Sequence, residues 1–190
     1  KIKKNMKFIL DNGHSGVVNG EYLTKGKRSW FESTGHFYEG VYNRIIVSKL
    51  IKLCKEYNIP YHNLVPEDGV VHLSERIKRE RRVHTKGDIL ISIHADAYSK
   101  ESANGFSTFT YNSISSLSKE LNTSYAESNK ELRNRGCRTA NFYMLKNSYS
   151  KAILIETGFM TNLKDVTYLI NNTDNVVMGI FNFMLEVYEK

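Results

Sequence analysis

The sequence predicts a single α/β domain with a mostly parallel sheet flanked by helices. Short apolar runs of strand length alternate with longer segments whose apolar residues recur at helical spacing. The chain has 190 residues, of which 41% are hydrophobic and 25% charged. That size suffices for one substantial core and is short for two enzyme domains, so we expect residues 1–190 to form one unit.

The candidate strands are short runs rich in β-branched and aromatic residues. They cover residues 7–10, 59–65, 88–94, 105–111, 142–145 and 152–156. The candidate helices are the longer periodic segments between and after them. They cover residues 39–57, 74–85 and 115–132, a short helix after Asn162 to about Leu169, and a final helix after Asp174. Asn162 is a suitable N-cap, and Gly87 is a suitable stop for the second helix.

Three of these helices show one apolar face each. The faces comprise Tyr42, Ile46, Leu50 and Leu53; Leu117, Leu121, Tyr125 and Leu132; and Val177, Ile180, Met184 and Val187. Residues 15–38 instead form a long glycine-containing and aromatic stretch with weak periodicity, which we expect to be a substrate rim. The basic run at Arg76, Lys78, Arg79, Arg81 and Arg82 indicates a solvated helix face.

The overall charge and the apolar runs limit the partners. A net charge of +7 favours a polyanionic partner, such as nucleic acid, membrane headgroups or bacterial wall polymers. No membrane span is expected, because no run of about 18 apolar residues occurs. No signal peptide is visible. Either one has been removed, or Met6 is a native start and residues 1–5 are a tail or cloning remnant.

Three predicted strands lead into side chains that can bind metal or carry a proton. The first leads to His14, the third ends at His94 and the last ends at Glu156. Ligands of open parallel sheets bind beyond the carboxyl ends of the strands, so these side chains are expected to meet in one crevice. A catalytic zinc takes three ligands from His, Asp and Glu and leaves a fourth position for water.

The third ligand should be a carboxylate from a neighbouring element, for which Glu21, Glu32 and Glu39 are near enough in sequence. Glu39 fits best, because it lies in the first turn and on the inward face of helix 39–57. A charge there needs a reason, and a bound cation supplies one. Taken singly, Glu39 could instead favour the helix N-terminus, Glu156 could pair with an arginine, and each histidine could be structural.

The remaining histidines have no comparable position at a strand end. They are His36, His62, His72 and His84. We do not expect them to be ligands.

Four sequence blocks stand out in chain order. They are Asp11-Asn12-Gly13-His14-Ser15-Gly16, Glu39 with Asn43, Ser92-Ile93-His94-Ala95-Asp96-Ala97, and Ile155-Glu156-Thr157-Gly158-Phe159-Met160-Thr161-Asn162. These blocks resemble the signatures of the zinc-dependent N-acetylmuramoyl-L-alanine amidases of the amidase-3 type. Segments 73–76, 105–111 and 134–145 are similar too, so the resemblance spans nearly the whole chain.

The resemblance implies that Zn2+ is bound by His14, Glu39 and His94, and that Glu156 is the catalytic acid/base. It also implies a six-stranded sheet and a peptidoglycan hydrolase that cuts the amide between N-acetylmuramic acid and L-alanine. Such an enzyme acts at the bacterial cell wall as an autolysin or a phage endolysin, secreted or released at lysis. Anionic wall polymers are then the expected partners of the basic surface, and nucleic acid is not expected.

The chain departs from the family pattern at a few positions. The family usually has proline at the position of Asn12, glycine at Ser15 and lysine at Gly40. Some members also carry an extra helix that covers the zinc until a partner removes it, inserted after the strand that here ends near Tyr111. The next helix follows too closely for such an insertion, so we expect an enzyme that needs no activator.

Two alternative functions are also compatible with these residues. A zinc peptidase that cuts within a wall peptide could use the same ligands. A non-catalytic module could bind wall or nucleic acid through its positive charge. The identity of the scissile bond separates the first alternative, and a zinc assay with a wall-clearing test separates the second.

Overall fold

The computed structural model describes residues 6–190. Its strands are β1 (Phe8–Asn12), β2 (Val17–Val18), β3 (Glu21–Tyr22), β4 (Arg28–Phe31), β5 (Gly35–Tyr38), β6 (Tyr61–Asn63), β7 (Ile89–Asp96), β8 (Phe106–Thr110), β9 (Asn134–Thr139) and β10 (Lys151–Phe159). Its helices are α1 (Glu39–Glu56), α2 (Leu73–Val83), α3 (Ser116–Ser128), α4 (Tyr143–Asn147), α5 (Leu163–Asn171) and α6 (Thr173–Glu189). The tail interpretation of residues 1–5 lies outside the described residues.

A six-stranded sheet has the order β6-β1-β7-β10-β8-β9. Its neighbouring strands are parallel, except that β8 and β10 are antiparallel. This arrangement confirms the predicted fold class. The central strands β1, β7 and β10 read as aliphatic runs because helices cover both of their faces.

The sheet separates two apolar cores. Residues alternate between them along a strand: Phe8 and Leu10 face the larger core, and Ile9 faces the smaller one. Helices α1, α3, α5 and α6 supply the larger core, whereas α2 and α4 supply the smaller one. The predicted helix faces are confirmed for most of their residues. Leu53 and Leu117 are only partly buried, and the face of α1 continues to Cys54.

The strand predicted at residues 142–145 is wrong. Those residues begin the short helix α4, which turns Met144 and Leu145 inward. The sixth strand is β9, whose sequence Asn-Arg-Gly-Cys-Arg-Thr contains no aliphatic residue. It lies at the edge of the sheet, where one side of the backbone is unpaired and polar residues are tolerated. The apolar pattern therefore pointed to the wrong segment.

Several boundaries also differ from prediction. Helix α3 ends at Ser128, so Leu132 is buried beyond the helix rather than within it. The strand predicted at 59–65 shortens to β6. Asn162 is confirmed as an N-cap, because its side chain accepts a hydrogen bond from the backbone N–H of Asp165 at 3.0 Å.

Residues 15–38 form two small hairpins rather than an irregular loop. Strands β2 and β3 pair antiparallel, as do β4 and β5. The first turn contains Asn19 and Gly20, both with positive φ. Asn-Gly is a strong short-range hairpin signal, so this element was readable from the sequence. Among residues 6–190, no helix combines the length and the hydropathy that crossing a membrane requires.

Candidate metal centre

The sheet brings the predicted strand-end residues together. Strands β1, β7 and β10 are adjacent, and in the register of β10 on β7 Glu156 pairs with His94. The chain leaving β1 stays next to β7, because the N–H of Gly13 donates to the carbonyl of Ile93 at 3.0 Å. His14 follows directly. The expectation that three side chains meet at one edge of the sheet is met.

Two histidines and one glutamate form a cluster at this edge. The Oε1 atom of Glu39 lies 3.2 Å from Nε2 of His14 and 3.0 Å from Nδ1 of His94. One ligand atom from each of the three residues lies within 4.8 Å of the others. In the described part of the chain, no other group of three His, Cys, Asp or Glu side chains meets this criterion. This set can hold a metal ion.

Glu39 is the buried member of the cluster. It is 1% exposed, and its Oε1 also accepts a hydrogen bond from the N–H of Ala95 at 3.1 Å. Its Oε2 is buried without a partner. Burial acts to raise the pKa of Glu39, but the hydrogen bonds from His14 and His94 outweigh it, and the pKa is lowered. This environment therefore favours the ionised carboxylate.

The two histidines respond in opposite directions. Burial lowers the pKa of His14 and outweighs its hydrogen bond to Glu39. Burial also acts to lower the pKa of His94, but the carboxylates of Glu39, Glu156 and Asp11 outweigh it, and the pKa is raised. A metal ion binds neutral imidazole, so an ion in this cluster would displace any proton that His94 holds.

The backbone at His14 is strained and firmly held. Its φ is 67°, in the left-handed region that non-glycine residues rarely adopt. The carbonyl of His14 accepts hydrogen bonds from Arg44 at 2.9 Å and from Arg76 at 3.0 Å. Arg76 also donates to Asp11 at 2.6 Å and to the carbonyl of Asn12 at 2.7 Å. The conformation that aims His14 therefore depends on two guanidinium groups.

The solvated face predicted for the basic run is wrong for Arg76, which is 3% exposed. It forms an ion pair with Asp11, which is itself 1% exposed and accepts a second hydrogen bond from Ser92 at 2.6 Å. Arg79 is half-buried and pairs with Glu67. The sequence does not show which residue of a basic run is buried, because all of its members carry the same charge. The burial of Arg76 was therefore missed.

Two glycines allow close approach around the cluster. A Cβ atom at Gly13 would collide with the ring of His94, and one at Gly40 would collide with the carbonyl oxygen of Ser15. The second collision explains why glycine stands where the family usually has lysine. The backbone after His14 packs directly against the first turn of α1, and only glycine leaves room for it.

Glu156 stands beside the cluster but is not part of it. Its Oε2 is buried and has no hydrogen-bond partner. Burial raises the pKa of Glu156 to about 8, with His94 acting against the rise and Glu39 adding to it. A carboxyl group in such a setting can exchange a proton near neutral pH.

Two clefts meet at the cluster. One, of about 220 Å³, contains Glu156 and is lined by His14, Lys27, Leu73, His94, Phe142, Tyr143, Met144, Leu154 and Glu156. The other, of about 250 Å³, extends along His14 toward residues 70–73. A larger depression of about 660 Å³ lies elsewhere, next to α5, and contains none of the cluster residues.

The sequence profile of the Amidase_3 family, described as N-acetylmuramoyl-L-alanine amidase, matches residues 8–184. The chain belongs to this family.

Named relatives agree with membership in the amidase family. LytC of Bacillus subtilis strain 168, an N-acetylmuramoyl-L-alanine amidase, is 35% identical over 107 residues, which are 54% of this chain and 21% of LytC. LytH of Staphylococcus aureus, a probable cell wall amidase, is 31% identical over 162 residues, which are 85% of this chain and 50% of LytH. The chain thus spans about half or less of these relatives.

Solved amidase structures share the fold. An N-acetylmuramoyl-L-alanine amidase of Clostridium difficile 630 has a TM-score of 0.82 at 26% identity, and the match covers 97% of each chain. CwlD of Clostridioides difficile, solved in complex with the GerS lipoprotein, has a TM-score of 0.77 at 20% identity, covering 97% of this chain and 98% of CwlD. At 20% identity, the match to CwlD shows similarity of fold alone.

Replacing Arg76 by alanine should destabilise the protein strongly, because it leaves the buried Asp11 carboxylate unpaired. Breaking a buried ion pair costs about 3–5 kcal/mol, and we expect the free energy of unfolding in urea to fall by about that amount. Arg82, on the same helix, is 71% exposed, and Arg82→Ala should change stability by less than about 0.5 kcal/mol. Equal losses in the two variants would contradict this account.

Proposed function

We propose that this chain is a zinc-dependent N-acetylmuramoyl-L-alanine amidase that hydrolyses the amide between N-acetylmuramic acid and L-alanine in peptidoglycan. One observation carries the proposal. In a chain of this amidase family, the cluster of His14, Glu39 and His94 lies next to a buried carboxyl group, that of Glu156. In the proposal residues 1–190 constitute the catalytic unit.

The side chains of the cluster fit a zinc ion. Two imidazole nitrogens and one carboxylate oxygen are a donor set that catalytic zinc sites use, with the fourth position left for water or substrate. The Oε2 atom of Glu39 is buried and lacks a partner. A carboxylate in that setting needs a neutralising positive charge, and a cation bound at the cluster would supply that charge.

When bound, zinc supplies Lewis-acid activation of a water molecule and of a carbonyl group. Glu156 takes a proton from the attacking water and passes it to the nitrogen of L-alanine as the carbon–nitrogen bond breaks. The products are a lactyl carboxylate on the sugar and a peptide with a free amino terminus. A cation held by His14, Glu39 and His94 would lower the pKa of the neighbouring Glu156 and so favour the ionised form that accepts the proton.

The proposed place of action is the bacterial cell wall, after secretion or release by a phage. The net charge of +7 favours contact with anionic wall polymers. The proposal also keeps the expectation that no activator is needed. Residues 111–115 join β8 directly to α3, and within the described residues no helix lies between those two elements. The complex of CwlD with a lipoprotein makes activity of the purified chain alone a necessary test.

Metal content tests the cluster directly. We expect one zinc ion per chain, loss of activity on chelation and recovery on adding zinc. His94→Ala removes one of three protein ligands and should abolish stoichiometric binding, measured by elemental analysis. His36→Ala, an exposed residue of β5, should leave metal content unchanged. Active protein that contains no transition metal would eliminate the proposed site.

The products of digestion identify the bond. Peptidoglycan treated with the purified chain should gain L-alanine amino termini without a matching gain in reducing sugar ends, because only the lactyl amide is cut. New amino termini on other residues would favour the zinc peptidase alternative. Binding of the chain to cell wall without release of any new amino terminus or reducing end would favour a non-catalytic module.

Glu156→Gln tests the proton transfer. The amide keeps the size of the side chain but cannot accept a proton, so turnover should fall by about 10² to 10⁴ while zinc and wall remain bound. Kinetics and metal analysis on the same preparation provide the measurement. If Glu156→Gln loses zinc, Glu156 is a metal ligand. If the variant keeps zinc and turns over at a near-normal rate, Glu156 is not the catalytic base.

A further inference from the structure

The cleft that contains Glu156 has an uneven charge distribution. Lys27 is the only lysine or arginine in its lining, and much of the remaining wall is apolar, including Leu73, Phe142 and Met144. Lys27 is partly buried. No hydrogen bond or ion pair of its ammonium group occurs among residues 6–190. A cation in this position is available to a ligand.

The backbone of Lys27 is hydrogen-bonded to the first residue of α1, Glu39. Its carbonyl accepts hydrogen bonds from the N–H of Glu39 at 3.1 Å and from the hydroxyl of Tyr22 at 3.0 Å. The same hydroxyl accepts a hydrogen bond from the N–H of Gly40 at 3.0 Å. Lys27 is thus held against the first turn of α1, and its side chain lines the cleft. The backbone of Lys27 is therefore held in place by these contacts.

Lys25, two residues earlier, differs in each of these respects. Its side chain is 72% exposed and pairs with Glu21 across 3.0 Å. It is absent from the lining of the cleft. The segment therefore contains two lysines, of which only Lys27 lines the cleft.

The chemistry of the proposed reaction orients the substrate. Glu156 must reach the nitrogen of L-alanine, so the stem peptide begins in the cleft that Glu156 and Lys27 both line. The second residue of the stem is a glutamate joined through its side-chain carboxyl, which leaves its α-carboxyl free or capped as an amide. That group belongs to the residue next to L-alanine, and successive Cα atoms lie about 3.8 Å apart in an ordinary peptide.

We propose that Lys27 binds the free α-carboxylate of this second stem residue and makes the site selective for acidic over amidated stem peptides. The inference rests on the proposed function, since it assumes the orientation that amide cleavage imposes. The geometry agrees, because Lys27 and Glu156 line the same cleft.

The kinetic test uses two soluble muramoyl peptides that differ only in a free acid or an amide at this glutamate. Wild-type protein should cleave the acid with kcat/KM about tenfold higher, as expected for one charge-assisted hydrogen bond. Lys27→Gln should lose this preference by slowing cleavage of the acid alone, and Lys27→Arg should retain part of it. Lys25→Gln, the matched control, should behave as wild type. Equal cleavage of the acid and the amide by wild type overturns the inference. So does a preference for the acid that persists in Lys27→Gln.

A binding measurement separates this inference from the proposed function. Calorimetry with the two free product peptides needs no turnover, and the acid should bind zinc-loaded wild type about tenfold more tightly than the amide. Lys27→Gln should bind both equally. Equal binding by wild type overturns the role of Lys27 even if L-alanine termini are released. Selective binding without release of such termini supports Lys27 and overturns the amidase proposal.

Discussion

A carboxylate is expensive to bury, and Glu39 is 1% exposed in the first turn of α1. Much of the surrounding structure accommodates that charge. Two imidazoles and the N–H of Ala95 face one of its oxygens, and the positive end of the helix dipole lies beside it. The sheet fixes where His94 stands, and the loop after β1 brings His14 alongside. The geometry of the cluster thus follows from the position of α1 against the carboxyl ends of two strands.

The backbone at His14, in contrast, is held by polar contacts. Arg76 and Asp11 are both buried, and a buried ion pair is a poor source of net stability compared with an apolar pair of the same size. Its effect here is local geometry, since the same guanidinium group binds the carbonyl groups of Asn12 and His14. Together with Arg44 it holds His14 in a backbone conformation that an unsupported loop would leave. The protein maintains a strained residue where the chemistry is proposed.

The sequence was informative where a single physical effect dominates. Strands β1, β7 and β10 are buried on both faces, so their aliphatic runs identified them, and the residues at their ends followed from sheet geometry. It was misleading where burial is partial. Polar β9 pairs at the edge of the sheet, whereas Phe142 to Leu145 are apolar because they cover a core from a short helix. Arg76 could not be recognised either, because burial of one cation in a basic run depends on a partner 65 positions away.

The two hairpins between β1 and α1 contact the site through residues at their bases. Ser15 contacts Thr24 through backbone and side chain, and Tyr22 and Lys27 join the hairpins to α1. The tips near Asn19 and Ser33 are exposed. Lengthening an exposed loop costs little stability, since closure entropy grows only slowly with length. Insertions and deletions at the tips would therefore reshape these hairpins without moving the residues that aim the cluster.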